Sequence, residues 1–169
     1  MKYNIDNELI LSQRIRMLKK YSNKEILLLH YFQKMTKIVP ENVILINKII
    51  FFFVKPTDYF KSKNFQYELR KKIINQKLVI ISSENTLIKQ IFNFFPDTYI
   101  HDIIIKPNKQ KIEQVILVHF LSYEERGIAV GQGGNYIKAI NEIFQKYFIL
   151  ENNNDRTYSF QIRCKFIML

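Results

Sequence analysis

The sequence has little glycine, cysteine and alanine, and it has no tryptophan. Of its 169 residues, four are glycine, one is cysteine and two are alanine. A single cysteine, Cys164, excludes an internal disulfide bond. With only His30, His101 and His119 beside it, the sequence has no Cys/His set with the spacing of a zinc site. We therefore expect no structural metal and no metal cofactor.

Long apolar runs are also missing. The longest are Val43–Ile46 and Ile49–Val54, whereas a membrane-spanning helix needs about 20 apolar residues. Asp6 and Glu8 make the first ten residues a poor signal or transit peptide. We therefore expect a protein that neither spans a membrane nor is secreted.

The charge is strongly positive, with 26 Lys and Arg against 15 Asp and Glu, a net charge of +11. Such a surplus attracts polyanions, which makes nucleic acid or an acidic protein the first expected partner. However, Ile, Lys, Asn and Phe together make up 77 residues, a composition typical of an AT-rich genome, so part of the lysine content reflects codon bias. That bias favours an organelle such as the plastid stroma, with the cytoplasm as the alternative.

All four glycines lie within eight residues, at Gly127, Gly131, Gly133 and Gly134. A strand-like segment precedes them, and apolar residues at helical spacing follow them. A Walker loop needs Lys-Ser or Lys-Thr directly after the last glycine, and a dinucleotide-binding loop needs a different glycine spacing. The pattern therefore excludes both kinds of nucleotide site.

The remaining pattern is a GxxG loop, Gly131-Gln132-Gly133-Gly134, between two helices. Without Cβ atoms, such a loop lets a sugar-phosphate backbone approach the main chain, and the following helix presents unpaired N–H groups. KH domains use this loop to hold about four nucleotides of single-stranded RNA. The alternative is a tight helix–helix turn with no ligand. The predicted RNA-binding residues are the four loop residues with Arg126, Asn135 and Lys138.

The segment from Tyr123 to Lys138, YEERGIAVGQGGNYIK, resembles the second KH domain of NusA-type transcription factors, above all the short archaeal-type proteins with two KH domains. Residues 23–36, 42–54 and 77–82 agree with the same family in outline. The resemblance implies type II KH domains, each with a helix and a strand ahead of a strand–helix–helix–strand core. It also implies that the partners are nascent single-stranded RNA and a multisubunit RNA polymerase, in transcription elongation or termination.

The chain repeats its pattern at about 70 residues. We predict an α+β fold of two tandem type II KH domains, each a small three-stranded sheet with helices packed on one face. The predicted division is a helical extension over 1–21, KH domain 1 over 22–83 and KH domain 2 over 84–169. The first domain should have a helix over about 23–37, strands over 42–46, 48–54 and 77–82, and a helix pair over 57–76. The second should have a helix over about 84–95, strands over 98–106, 111–120 and 157–168, and a helix pair over 122–148.

The first predicted domain has a degenerate loop, because Lys61-Ser62-Lys63-Asn64 stands where the glycines should be. Its side chains would keep a phosphate away from the backbone, but Lys61 and Lys63 are a predicted secondary RNA contact. A solvated loop is the alternative. The basic amphipathic segment before residue 22 is expected to dock as a helix on the first domain, or to contact a polymerase or ribosomal RNA.

No arrangement of residues indicates catalysis. Glu124 and Glu125 are adjacent, which suits a helix start better than an acid–base pair. Tyr123 and Tyr136 flank the loop and are candidates for base contact. His119 is expected to fill a sheet face, with stacking on a base as the alternative. We therefore expect no enzyme, no cofactor and no small-molecule substrate. The predicted function is a single-stranded RNA-binding, NusA-like factor or subunit of RNA polymerase; the alternative is a ribosomal or ribosome-assembly KH protein that binds ribosomal RNA.

Overall fold

The structure is a computed structural model that describes residues 10–107, 113–151 and 159–169. It is an α+β protein with small mixed sheets and helices, which confirms the α+β part of the predicted fold. The chain forms two compact units. We call Leu18–Glu84 the inner unit, and Met1–Met17 together with Asn85–Leu169 the outer unit. Within the described ranges, no helix is both long and apolar enough to cross a membrane.

The inner unit contains a three-stranded sheet formed by β2 (Asn42–Ile46), β3 (Ile49–Val54) and β4 (Lys77–Ser82), in that order. Strands β2 and β3 are antiparallel, and β3 and β4 are parallel. A single turn of 3-10 helix at Pro56–Asp58 leads into its second helix. Its elements are α1 (Asn23–Thr36), β2 (Asn42–Ile46), β3 (Ile49–Val54), α2 (Tyr59–Asn64), α3 (Gln66–Lys71) and β4 (Lys77–Ser82).

The first helix of the inner unit is fixed at its start by a capping box. The Ser22 hydroxyl accepts from the Glu25 N–H, and the Glu25 carboxylate accepts from the Ser22 N–H. The other Glu25 oxygen accepts from the Leu45 N–H at 2.9 Å, which ties the buried carboxylate to β2. The helix then buries Phe32 against Phe52, with ring centroids 4.5 Å apart. Helices and sheet thus share one apolar core.

The outer unit has a second three-stranded sheet, formed by β5 (Asp102–Pro107), β6 (Glu113–Phe120) and β8 (Ser159–Phe166), in that order. Strands β5 and β6 are antiparallel, and β6 and β8 are parallel. The predicted order of helix, two strands, two helices and strand occurs in both units, but the outer unit has an additional short strand, Phe148–Leu150, that the sequence did not predict. Its elements are α4 (Leu87–Asn93), β5 (Asp102–Pro107), β6 (Glu113–Phe120), α5 (Tyr123–Val130), α6 (Asn135–Tyr147), β7 (Phe148–Leu150) and β8 (Ser159–Phe166).

Helix α6 buries the apolar face that its spacing predicts, with Ile140 and Ile143 fully buried. Asn141 on the same helix joins it to β8, because its Oδ1 accepts from the Ile162 N–H at 2.7 Å and its Nδ2 donates to the Ile162 carbonyl at 3.0 Å. The rings of Phe94 and Phe144 pack 5.2 Å apart. These contacts hold α6 against the sheet and the end of α4.

The N-terminal segment differs from its prediction. The helix expected through this region is wrong over Ile15–Met17, which form strand β1 paired antiparallel with β7. The Ile15 N–H donates to the Asn85 carbonyl at 2.9 Å. Ile15 is buried and Arg16 is exposed, an alternation that suits a strand. The segment also belongs to the outer unit, not to the first repeat on which we expected it to dock.

Candidate nucleic-acid interface

The predicted binding loop follows helix α5, whose start is fixed by hydrogen bonds of Ser122 and Glu125. The Ser122 hydroxyl accepts from the Glu125 N–H at 3.1 Å. One Glu125 oxygen accepts from the Tyr99 N–H at 2.9 Å. Glu124 and Glu125 both lie in the first turn of α5, where the positive end of the helix dipole stabilises a negative charge. The two carboxylates therefore lie at a helix start, as predicted.

Gly131–Gly134, which we call the glycine loop, is a turn that the protein backbone largely determines. Helix α5 ends where the Gly131 N–H donates to the Gly127 carbonyl at 2.9 Å, and the Gly134 N–H then donates back to the Gly131 carbonyl at 3.0 Å. Gly131, Gly133 and Gly134 have φ angles of 76°, 60° and 75°. Residues with a side chain rarely adopt such positive φ angles, so each of these three positions favours glycine.

The three glycines differ in what surrounds them. A Cβ on Gly131 would lie 2.7 Å from the Tyr136 Cβ, whereas a Cβ on Gly134 would approach only the end of the Lys138 side chain, at 3.7 Å. A Cβ on Gly133 would have no atom within 4 Å. Gly131 is thus required by packing, whereas the outer surface of Gly133 is open to solvent and to a ligand.

The polar groups of the loop also face outward. Gln132, Gly133 and Asn135 are exposed. In the described part of the chain, the N–H groups of Gln132 and Gly133 donate to no backbone carbonyl, whereas that of Asn135 donates to Gln132. The Lys138 ammonium lies 3.5 Å from the Gly133 carbonyl. One cation and two free amide groups therefore surround an open glycine, an arrangement that suits an anion.

Arg126 has a different environment from the loop residues. Its Nε donates to the Cys164 carbonyl at 3.2 Å, which joins α5 to β8, and the side chain is half-buried. Cys164 itself is buried, and burial raises the pKa of its thiol to about 12 despite the nearby arginine charge. Arg126 thus takes part in packing the helix on the sheet.

The two tyrosines beside the loop have opposite environments. Tyr136 is buried, its hydroxyl donates to the Phe94 carbonyl, and its ring packs edge-on against Phe95. The expectation that it is open to base contact is therefore wrong, because the ring is part of the core. Tyr123 is exposed and stacks on Phe166, with centroids 3.9 Å apart.

The corresponding segment of the inner unit is not a loop. Residues Lys61 to Asn64 form the last four residues of helix α2, so placing a degenerate loop there was wrong. The link between α2 and α3 is the single residue Phe65, at φ −89° and ψ −3°. Ser62 is buried on this helix, Lys61 is exposed, and the Lys63 ammonium lies 6.0 Å from the centre of the Tyr59 ring. The two lysines thus stand on a helix.

Two exposed rings on helices α2 and α3 were not predicted as binding residues. Phe60 is 81% exposed and Tyr67 is 71% exposed. The available signal was the placement of both aromatic residues in a run rich in lysine and arginine. Their spacing alone did not separate an exposed ring from a core ring.

His119 lies on β6 opposite Asp102 and is buried. Burial lowers the pKa of its imidazole; Asp102 opposes the shift, while Lys106, Lys165 and His101 reinforce it. The side chain fills a sheet face, as predicted. Among the described residues, no group of three or more His, Cys, Asp or Glu side chains is placed to hold a metal ion.

Comparison with known proteins bears on the fold. The chain resembles the protein in the crystal structure of APE1850, with a TM-score of 0.59 and 15% sequence identity over 86% of this chain and all of that chain. No family model matches the chain. No curated protein matches it either. At this identity, the structural likeness supports the α+β fold of both units and carries no function with it.

Proposed function

We propose that the chain is a single-stranded RNA-binding protein built of two type II KH domains, which acts without catalysing a reaction. The inner unit is the first proposed domain and the outer unit is the second. The repeated element order and the strand orders, each with one antiparallel and one parallel pair, support this proposal. The glycine loop lies between the two helices of the outer unit, where a KH domain binds its ligand.

The observation that carries the proposal is the open surface over Gly133. At Gly131, protein atoms lie close to the position of the missing Cβ, so that side of the loop is closed to a ligand. Gly133 has none within 4 Å, and the Lys138 ammonium lies close to its carbonyl. Among the described residues, its own N–H and that of Gln132 donate to no backbone carbonyl. A phosphate of a flexible single strand can approach such a position closely.

The role in transcription rests on the resemblance of residues 123–138 to NusA-type factors. On that basis, we propose that the protein is a factor or subunit of a multisubunit RNA polymerase and that it contacts the nascent transcript. The AT-rich composition supports an organelle, such as a plastid, as its compartment. A ribosomal role is the outcome to be separated from this one by experiment.

We call the proposed RNA contact at the glycine loop the clamp. It is tested by replacing Gln132 and Gly133 with aspartate, which places two carboxylates where phosphates should lie. Aspartate tolerates a positive φ better than most residues, so the fold should be kept. Binding of a labelled oligouridylate, measured by fluorescence anisotropy, should fall steeply while the melting temperature changes little.

A matched control adds two negative charges elsewhere. Gln33→Glu and Gln145→Glu change exposed residues on helices α1 and α6 without changing their size. This control variant should bind almost as the parent does. Equal binding by the loop variant and the parent would show that the clamp assignment is wrong.

The host particle is tested with a tagged copy of the full chain expressed in its own cells. Recovery of the large polymerase subunits, lost on treatment with high salt and not on RNase treatment, would support the polymerase proposal. Recovery of ribosomal proteins in their place would contradict it and favour ribosomal RNA as the ligand.

A further inference from the structure

The two units carry very different charges. The inner unit has 13 Lys and Arg against 5 Asp and Glu, a net charge of +8, although it contains no glycine. The outer unit contains all four glycines, but its 13 Lys and Arg are nearly balanced by 10 Asp and Glu, a net charge of +3. The stronger attraction for a polyanion therefore comes from the unit without the glycine loop.

Much of this charge lies on helices α2 and α3. Residues 59–72 contain five Lys and Arg and a single acidic residue, Glu68. Lys61, Lys71 and Lys72 are exposed. Glu68 accepts from Lys71 at 2.9 Å, so it compensates only one of these cations. The helix pair thus presents a net positive surface.

The same helices expose two large rings. Phe60 is 81% exposed and Tyr67 is 71% exposed, although the inner unit buries most of its other phenylalanines completely. The two residues are seven positions apart, roughly 10 Å along the helical path. A ring that is so exposed gains little from burial in the fold and is available to stack on a ligand with a flat apolar face.

A lysine lies over the Tyr67 ring, and another lies over the ring that packs against Phe60. The Lys71 ammonium lies 4.7 Å from the centre of the Tyr67 ring. Phe60 packs edge-on against Tyr59 at 5.4 Å, and the Tyr59 ring has the Lys63 ammonium 6.0 Å from its centre. Alternation of flat apolar surface and positive charge is the pattern that a single-stranded nucleic acid matches, because each nucleotide offers a flat base and a phosphate.

We propose that helices α2 and α3 form a second contact for single-stranded nucleic acid, in which Phe60 and Tyr67 stack on bases and the adjacent lysines attract phosphates. We call this surface the stacking platform. The inference rests on the proposed RNA-binding function and adds a contact that does not use a glycine loop. The charge favours a nucleic acid over a protein, and the flat rings favour unpaired bases over a duplex, whose bases are already stacked.

The absence of tryptophan allows a direct test in the full chain. Tyr67→Trp and Phe60→Trp each introduce the only tryptophan, on the proposed platform. Addition of an oligouridylate of about 20 nucleotides should quench its fluorescence in a saturable way, because stacked bases quench indole. A duplex of equal length should quench much less. Leu27→Trp, at a side chain that is 69% exposed on α1, is the control and should not respond.

Affinity provides the second readout. Phe60→Ala with Tyr67→Ala should weaken binding of the same oligouridylate about tenfold or more. The matched variant Leu27→Ala with Tyr99→Ala removes two exposed apolar side chains that lie outside the platform, and it should bind as the parent does. The Phe60→Trp and Tyr67→Trp variants should keep the parent affinity, because they keep the stacking surface.

The outcomes separate the platform from the clamp. If the tryptophans on α2 and α3 are not quenched and the double alanine variant binds as the parent does, the platform is wrong, even where the loop variant loses binding. If the loop variant keeps its affinity while the platform variant loses it, the clamp is wrong and the platform stands. If the parent binds no single-stranded RNA, both are wrong.

Discussion

Tyr136 occupies the space beside Gly131, so that a Cβ on Gly131 would lie 2.7 Å from the tyrosine Cβ and 3.1 Å from its backbone nitrogen. The tyrosine is held there by its hydrogen bond to the Phe94 carbonyl. The backbone of Gly131, at φ 76° and ψ 169°, is also in a region that almost only glycine adopts. Gly131 is therefore fixed by the fold, and this separates it from Gly133.

Alanine at these two positions should have unequal effects on stability. Gly131→Ala combines backbone strain with the clash against Tyr136, and we expect a loss of about 3 kcal/mol. Gly133→Ala adds a methyl group to open space at a left-handed φ, and we expect a loss of about 1 kcal/mol. Urea denaturation of both variants measures the difference. Similar losses at both positions would contradict the distinction between a packing glycine and an open one.

The regular elements were predictable because hydrophobic periodicity decides them. Strand β4 begins and ends at the predicted residues, and α6 buries its predicted face, because burial leaves few alternatives for such patterns. The glycine loop was predictable for a similar reason. In a chain with four glycines, their cluster marks a backbone with positive φ angles, which three of the four adopt.

The errors lie where the sequence is locally ambiguous. Ile15–Met17 has apolar residues that suit a helix face or an alternating strand equally well, and a distant partner, β7, decides for the strand. Residues Lys61 to Asn64 were placed in a loop by analogy with the other repeat. Nothing in them requires a positive φ, so the helix continues to Phe65. The exposure of Phe60 and Tyr67 depends on tertiary packing, which periodicity does not report.

The stability of the fold should depend on the protonation of His119. Burial lowers the pKa of this imidazole in the folded chain, so below about pH 6.5 the unfolded chain takes up the proton more readily. Stability should therefore fall as the pH drops through this value and should be unaffected by His119 above it. Denaturation curves at about pH 7.5 and pH 5.5 measure the effect.

Two variants isolate the contribution of that residue. His119→Gln removes the titration, so its stability should change less between the two pH values than that of the parent. His30→Gln changes an exposed histidine on α1 that is not among the groups acting on His119, and it should leave the parent's pH dependence almost intact. If the stability of the parent and that of His119→Gln change equally between the two pH values, other groups cause the acid sensitivity.

The thiol of Cys164 should be unreactive in the folded protein. With its pKa raised to about 12, the thiolate is rare at neutral pH, and the side chain is buried. A thiol reagent such as an aromatic disulfide should react at least about a hundredfold faster in denaturant than in buffer. Rapid reaction of the native protein would mean that β8 opens easily at this position.

The lysines of helix α2 should contribute to RNA binding mainly through long-range attraction. Lys61→Ala with Lys63→Ala should weaken binding by a few fold at low salt and reduce the slope of log affinity against log salt by about 0.7 for each lost phosphate contact. Lys24→Ala with Lys34→Ala removes the same charge from exposed positions on α1 and should have a smaller effect.

The glycine-loop variant should lose binding at every salt concentration, because two carboxylates then occupy the phosphate site. A loss from the Lys61 and Lys63 variant that persists at high salt would contradict this division, since it would make α2 a fixed phosphate site in its own right.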